Sequence, residues 1–402
     1  MRSGNVRRQA GALAIVAAAV LAVVAAPAVA QESKPRMELY GFAMLDMGYD
    51  FKQTDPEWFD VVRPTKLPDS EDCSYCGEDG TTYAGVRQSR FGVKGFFPTA
   101  LGEVKTIFEF ELFGVGVDAG QTTIRLRHAW GELGHWGAGQ SWSPFMDIDV
   151  FPNSIEYWGP NGMAFFRNVQ IRWMPLQGDN EVHVALERPG ASGDAGNYAE
   201  YFNPDRIKGR YPLPDLSAHY RMTRTWGHVQ AAAIVRKINW DDTAPAVYDL
   251  SGSAVGWGVN LSANYKLAND VIRASVVYGE GIENYMNDAT ADVAVTNDPT
   301  DPGEPLPILG VVAFLDHSWS KEWSTSIGYS MVDIDNSDGQ SASAFQSGQY
   351  ALVNLLRTPV PGVMYGAEFQ WGQRQNNSDG WTVDDYRLQV SFKYNFSMKF
   401  GG

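Results

Sequence analysis

Near the end of the chain, apolar and polar residues alternate one for one. Tyr386, Leu388, Val390, Phe392, Tyr394, Phe396, Met398 and Phe400 interleave with Arg387, Gln389, Ser391, Lys393, Asn395, Ser397 and Lys399. A period of two is a β-strand with one apolar and one hydrated face. At about 3.4 Å per residue, and even tilted near 45°, such a strand crosses an apolar band roughly 25 Å tall. Val255–Tyr265, Trp323–Met331 and Val363–Trp371 alternate in the same way. The alternation and its turn signals predict sixteen strands, the first at Met37–Phe51 and the last at Trp381–Phe400. Short turns such as Pro98–Leu101, Leu267–Asp270 and Pro359–Pro361 alternate with long outer loops at 52–85, 143–164, 189–214 and 281–304. A soluble sandwich shares this period, with its polar face outward. Strand length, aromatic load and one-sided long loops instead predict an all-β, porin-like, 16-stranded antiparallel transmembrane β-barrel with both ends on the short-turn side.

Residues 1–30 read as a cleaved signal peptide. Arg2, Arg7 and Arg8 lead an apolar stretch from Gly11 to Ala26, and Ala28-Val29-Ala30 fits the small-residue cleavage pattern. Residues 31–402 then form a single barrel domain. No later run approaches the length of a spanning helix, so an exported chain that crosses a membrane must do so with strands. Composition agrees: the chain carries 41 Gly, 13 Trp, 18 Tyr and 20 Phe, yet its mean hydropathy is −0.27. Apolar residues dispersed in alternation produce that combination. The formal charge of −15 argues against nucleic acid as a partner, and the acidic residues crowd into the loops at 52–85 and 281–304. Cys73 and Cys76 are spaced C-x-x-C within the first of these. In an oxidising compartment they are expected to form a disulfide staple. A zinc site there lacks further ligands, and a thioredoxin-like role lacks its βαβ setting.

If the polar faces line a lumen, their charges select what passes. Arg90, Lys94, Arg125, Arg127, Arg172 and Arg221 fall on those faces, with Arg236 and Arg374 as weaker cases near strand ends. They predict a basic stripe that attracts small anionic solutes. The competing reading pairs them with Glu103, Glu109 and Glu111 of the third strand, leaving a neutral wall. The loop at 143–164 sets Asp147, Asp149 and Glu156 among Phe151, Tyr157, Trp158 and several prolines. It is expected to fold into the lumen as a constriction, with its carboxylates facing the basic wall and its aromatics contacting flat solutes. Packing of that loop on a neighbouring subunit is the alternative. The six histidines (His128, His135, His183, His219, His228 and His317) show no metal spacing such as H-x-x-x-H. No G-x-S-x-G elbow appears, and no catalytic constellation stands out. No cofactor is expected. His128 falls on the apolar side of its strand and is expected to pack at a subunit contact. An outer-membrane hydrolase using Ser141 and His128, or a gated channel for hydrophobic compounds, stands as the alternative to a passive pore.

Six segments carry a family resemblance: LYGFAMLDMGYDF at Leu39–Phe51, RQSRFGVKG at Arg87–Gly95, IRLRHAWGELGHWGAGQSWSPFMD at Ile124–Asp147, FPNSIEYWGPNGM at Phe151–Met163, RTPVPGVMYGAEFQWGQR at Arg357–Arg374 and DGWTVDDYRLQVSFKYNF at Asp379–Phe396. Together they resemble the DcaP-like family of outer-membrane porins, over most of the chain after residue 30. The resemblance implies a trimeric, sixteen-stranded barrel in the bacterial outer membrane, surrounded by its lipid and placed there by the barrel insertion machinery. It also implies an arginine-lined pore for small negatively charged solutes such as dicarboxylates and aromatic acids of the phthalate kind. By position it makes Arg90, Arg125, Arg127 and Arg172 pore-wall residues, and the loop around Asp147 and Asp149 the constriction. Two features depart from the pattern. Only a few residues separate Gln31 from Met37, too few for the coiled-coil extension of some relatives, and the chain ends Phe400-Gly401-Gly402 where many such barrels end on an aromatic.

Overall fold

The computed structural model describes residues 34–198, 206–244, 249–298 and 303–402, and the leader at 1–30 lies outside them. The alternation becomes sixteen long strands: β1 (Arg36–Asp50), β2 (Arg90–Thr99), β3 (Gly102–Phe113), β4 (Thr122–Leu133), β5 (Trp136–Trp142), β6 (Arg167–Leu176), β7 (Asn180–Glu187) and β8 (Asp215–Arg224). The second half comprises β9 (Gly227–Asp242), β10 (Gly252–Leu267), β11 (Asp270–Glu280), β12 (Pro307–Ser318), β13 (Trp323–Ile334), β14 (Phe345–Val360), β15 (Val363–Asn376) and β16 (Thr382–Gly401). Each pairs antiparallel with the next. β1 pairs with both β2 and β16, so the sheet closes as a sixteen-stranded barrel. Closure leaves no open edge in a medium that cannot hydrate one. Arg36 lies opposite Gly401, so the first of the two terminal glycines still belongs to the ladder. Short strands at Thr81–Gly85 and Ile207–Gly209 extend the pairing of β1 and β9 into the loops.

Burial along β16 is inverted relative to a water-soluble sheet. Arg387, Gln389 and Ser391 are fully buried, whereas Tyr394 and Met398 are more than half exposed. The apolar face meets acyl chains and the polar face lines the interior. Beyond Lys393, the inward residues Asn395, Ser397 and Lys399 are exposed again, which marks an open vestibule at the short-turn end.

Farther in, loops fill part of the lumen. Counting only the outer connections in chain order, three fold inward among the described residues: the first, between β1 and β2 (51–89), the third, between β5 and β6 (143–166), and the sixth, between β11 and β12 (281–306). The sequence reading anticipated only the third. Val62 of the first loop, Phe145, Met146, Val150 and Met163 of the third, and Ile282, Tyr285 and Met286 of the sixth share one apolar core. That core is completed by Ile234, Val277, Ile308, Val312, Val332 and Leu352 on the barrel wall. Each such side chain contributes about 1.5–3 kcal/mol by leaving water, which holds the loops against the wall. The inner face of β9–β14 is therefore partly apolar, not uniformly hydrated, because loops cover it. Cys73 and Cys76 are joined by a disulfide within the first loop.

Candidate functional site

The third loop runs around the inner wall. Asp147 accepts hydrogen bonds from Ser262 on β10 (2.7 Å) and is paired with His228 on β9 (2.7 Å) and Arg221 on β8 (3.3 Å). Burial opposes its ionisation, but the hydrogen bond and charge of His228, with Ser262 and Arg221, hold its pKa below the ordinary value. Farther along, Asn153 donates to Ser324 on β13, and Ser154 and the Ile155 amide donate to Glu368 on β15. Asn161 donates to the Gly348 carbonyl, and the Gly162 amide to Ser330. Gly162 lies so close to the wall that an added Cβ would sit 1.9 Å from the Met331 carbonyl oxygen.

At its tip the loop meets the opposite wall. Tyr157 stacks on Phe113 of β3, with ring centroids 3.8 Å apart, and its hydroxyl donates to Glu111. Burial, reinforced by the Glu111 charge, raises the Tyr157 pKa. Around this point β2, β3, β4 and β6 bring together four arginines and two glutamates. Arg127 bridges both carboxylates, Nε to Glu109 Oε1 at 2.6 Å and Nη1 to Glu111 Oε2 at 2.6 Å. Arg90 lies 3.8 Å from Glu109 and 3.4 Å from Glu111. Arg125 and Arg167 approach Glu111 at 3.7 and 3.5 Å. Four cations against two anions leave the cluster net positive. Between it and the loops lies a cavity of about 290 Å³ lined by Arg125, Arg167, Tyr157, Trp158, Phe165 and Asn287, among others. The side chains of Arg90 and Arg125 are 25% and 28% exposed, against 6% for Arg127 and 7% for Arg167, so Arg90 and Arg125 are the most open to the lumen, while Arg167 reaches the cavity wall with a small exposed part.

The predicted wall residues thus have different settings. Lys94 lies over the Tyr40 ring at 4.6 Å. Arg172 is buried, donates to the Trp142 carbonyl and Gln170, and lies over Trp130 at 4.9 Å, with no carboxylate in ion-pair range among the described residues. Arg221 is not free wall charge, because Asp147 and Asp149 take it up. Arg236 is locked to Asp215 and Asp292, and Arg374 donates to the carbonyls of Thr65, Leu67 and Ser343. Glu109 and Glu111 do pair with the arginines as the competing reading held, but Glu103 pairs with Arg36 instead (2.9 Å).

Three expectations need correction. Glu156 does not face the basic wall. It is buried and accepts from the amides of Val62 (3.2 Å) and Gly159, and burial pushes its pKa up to about 8. Asp147 and Asp149 do face the basic wall, but both are paired with Arg221 and Asp147 is also bonded to His228, so they are not free carboxylates across the opening. Trp158 and Trp58 meet edge to face, and the Arg63 guanidinium lies 4.1 Å from each ring centroid, while Phe151 packs toward Phe165. Tyr157 and Trp158 line the cavity. Third, His128 does not face outward. Glu109 pairs with His128 but Phe110 pairs with Leu126, so Arg127 is the extra residue of a β-bulge. Past the bulge the alternation inverts, and His128 turns in to lie 4.0 Å from Glu109. Among the described residues it makes no hydrogen bond to Ser141.

Arg167 escaped the sequence reading. Strict alternation puts it on the lipid face, but it stands at the first position of β6, where the third loop ends, and turns inward over Trp142. Its place directly after a Phe-rich inward loop was the available signal. The strand register also sets His183 directly opposite His219, a juxtaposition invisible to linear spacing.

Residues 22–396 match the profile of a family described as DcaP outer membrane protein. No functionally curated protein matches the sequence. Among solved structures, the outer membrane channel DcaP of Acinetobacter baumannii superposes with a TM-score of 0.76 at 21% identity, covering 92% of this chain and 100% of the other. An anion-selective porin from Comamonas acidovorans gives 0.58 at 11% identity, covering 90% and 100%. OmpT of Vibrio cholerae in its trimer form gives 0.53 at 13%, covering 90% and 100%.

Proposed function

The chain belongs to the DcaP outer membrane protein family, and from that premise we propose that it is a porin for passive diffusion of small solutes that prefers negatively charged ones, aromatic acids and dicarboxylates above all. Its place in the bacterial outer membrane and its channel class follow from the family and the barrel. The observation that carries the solute preference is the cavity where Arg125 and Arg167 stand beside Tyr157, Trp158 and Phe165. A guanidinium offers paired donors to a carboxylate, and an aromatic ring offers a flat apolar face. Glu109 and Glu111 hold the arginines in place without cancelling their charge. The name of the Comamonas porin supports the anion preference, and the trimer form of OmpT supports a homotrimer. Liposome swelling tests the reading. Vesicles loaded with the protein should admit benzoate and phthalate faster than a neutral sugar of matched size, and Arg125→Ala with Arg167→Ala should reduce that preference several-fold. Equal rates for acid and sugar would refute it.

A further inference from the structure

We propose that Glu181, His183 and His219 form a site on the lumen wall for a divalent transition-metal ion, with Zn²⁺ as the type. His183 on β7 and His219 on β8 are directly paired in the register, and their ring centroids lie 4.5 Å apart. Both share the inward face with Glu187 and Ser217, which hydrogen-bond each other beside Ser143 of the third loop. Glu181, two residues before His183, completes the face. One ligand atom from each of the three lies within 4.8 Å of the other two, and all three residues are partly exposed. Zn–ligand distances of about 2.1 Å place tetrahedral donors about 3.4 Å apart, so small side-chain rotations close the set.

The protonation of His219 favours ligation. The Pro144 carbonyl accepts from its Nδ1 at 3.0 Å, so the proton sits on Nδ1 and the lone pair on Nε2. That Nε2 is buried with no hydrogen-bond partner, and so is Nδ1 of His183. An imidazole oriented by a backbone carbonyl, with its other nitrogen vacant, is the arrangement that metal sites use. Charge does not forbid the ion. Arg221 faces Glu181 in the register, but its guanidinium is taken by Asp147 and Asp149. Arg172 is turned to the Trp142 carbonyl and Gln170. Glu181 makes no ion pair among the described residues, so its carboxylate is available to the metal. Two imidazoles and one carboxylate suit Zn²⁺, Ni²⁺ or Cu²⁺ over Mg²⁺ and Ca²⁺, and three protein ligands leave a position open to the lumen. The neighbouring group of Asp147, Asp149 and His228 is a poorer host, because Asp147 already serves His228, Ser262 and Arg221.

The test uses tag-free, refolded full-length protein stripped with a chelator. Zn²⁺ is titrated by calorimetry, and Co²⁺ is followed by its visible absorption. One ion per chain and the intense bands of tetrahedral Co²⁺ are expected, with no binding of Mg²⁺. His183→Ala, His219→Ala and the near-isosteric Glu181→Gln should each weaken binding at least about ten-fold, while His317→Ala leaves it unchanged. Heat-modifiable gel migration establishes that each variant is a folded barrel. Absence of saturable Zn²⁺ binding by the folded protein, or binding unaltered in both histidine variants, would overturn the proposal.

Discussion

Arg127 is held by Glu109 and Glu111 on one side and packed near Trp142 on the other. Removing Glu111 leaves Glu109 as the one carboxylate for four clustered arginines, and breaking a buried pair in this way costs about 3–5 kcal/mol. Glu111→Gln should therefore lower the thermal midpoint of the detergent-folded barrel sharply, as read by heat-modifiable migration. Arg125 differs, being partly exposed and 3.7 Å from its partner. Arg125→Ala should cost no more than about 1 kcal/mol and change selectivity instead. A variant pair in which stability and selectivity move together would contradict this division of labour. At this scale the sequence was legible wherever the strand alternation ran uninterrupted, as at Arg90 and Arg125. It was illegible at His128 and Arg167, where a bulge and a loop junction break the period, and at His183 and His219, which only register brings together.

At the scale of the element, the third loop is the one that crosses the lumen from β10 to β3. Its aromatic and proline content marked it as buried, and it is. The first and sixth loops went unrecognised because their many acids obscured short apolar anchors such as Val61, Val62 and Ile282, all nearly or fully buried. Glu156 ties the third loop to the first through the Val62 amide. Its pKa is raised from 4.5 to about 8 in the folded chain, so between those values the native state holds a proton that the unfolded chain has released. Stability from this group is full below the lower value and declines as pH rises toward the upper one, by up to about 1.4 kcal/mol per pH unit. Glu156→Gln should flatten that decline, as seen in thermal melts across the same range. An identical pH dependence in the wild type and the variant would dismiss the assignment. Gly162→Val adds atoms where the Met331 carbonyl already touches. Overpacking of this kind costs about 1–3 kcal/mol and should lift the loop, raising single-channel conductance. Unchanged conductance would show that the loop does not set the opening.

At the scale of the whole molecule, the barrel places apolar residues outside and charge inside, and period-two alternation made this architecture legible from the sequence. What alternation does not encode is which inner charges are spent on loops. Arg221, Arg236 and Arg374 anchor loops, whereas Arg125 and Arg167 line a cavity and Arg90 belongs to the same cluster through Glu111. The overall charge of −15 therefore says little about the pore, whose local field is positive beside Tyr157. The most direct measurement is the zero-current potential of the reconstituted protein across a KCl gradient. Chloride should carry the larger share of current, and the potential should move toward zero when Arg125 and Arg167 are both replaced by Ala. A potassium-favouring potential, or one indifferent to the double replacement, would contradict the account.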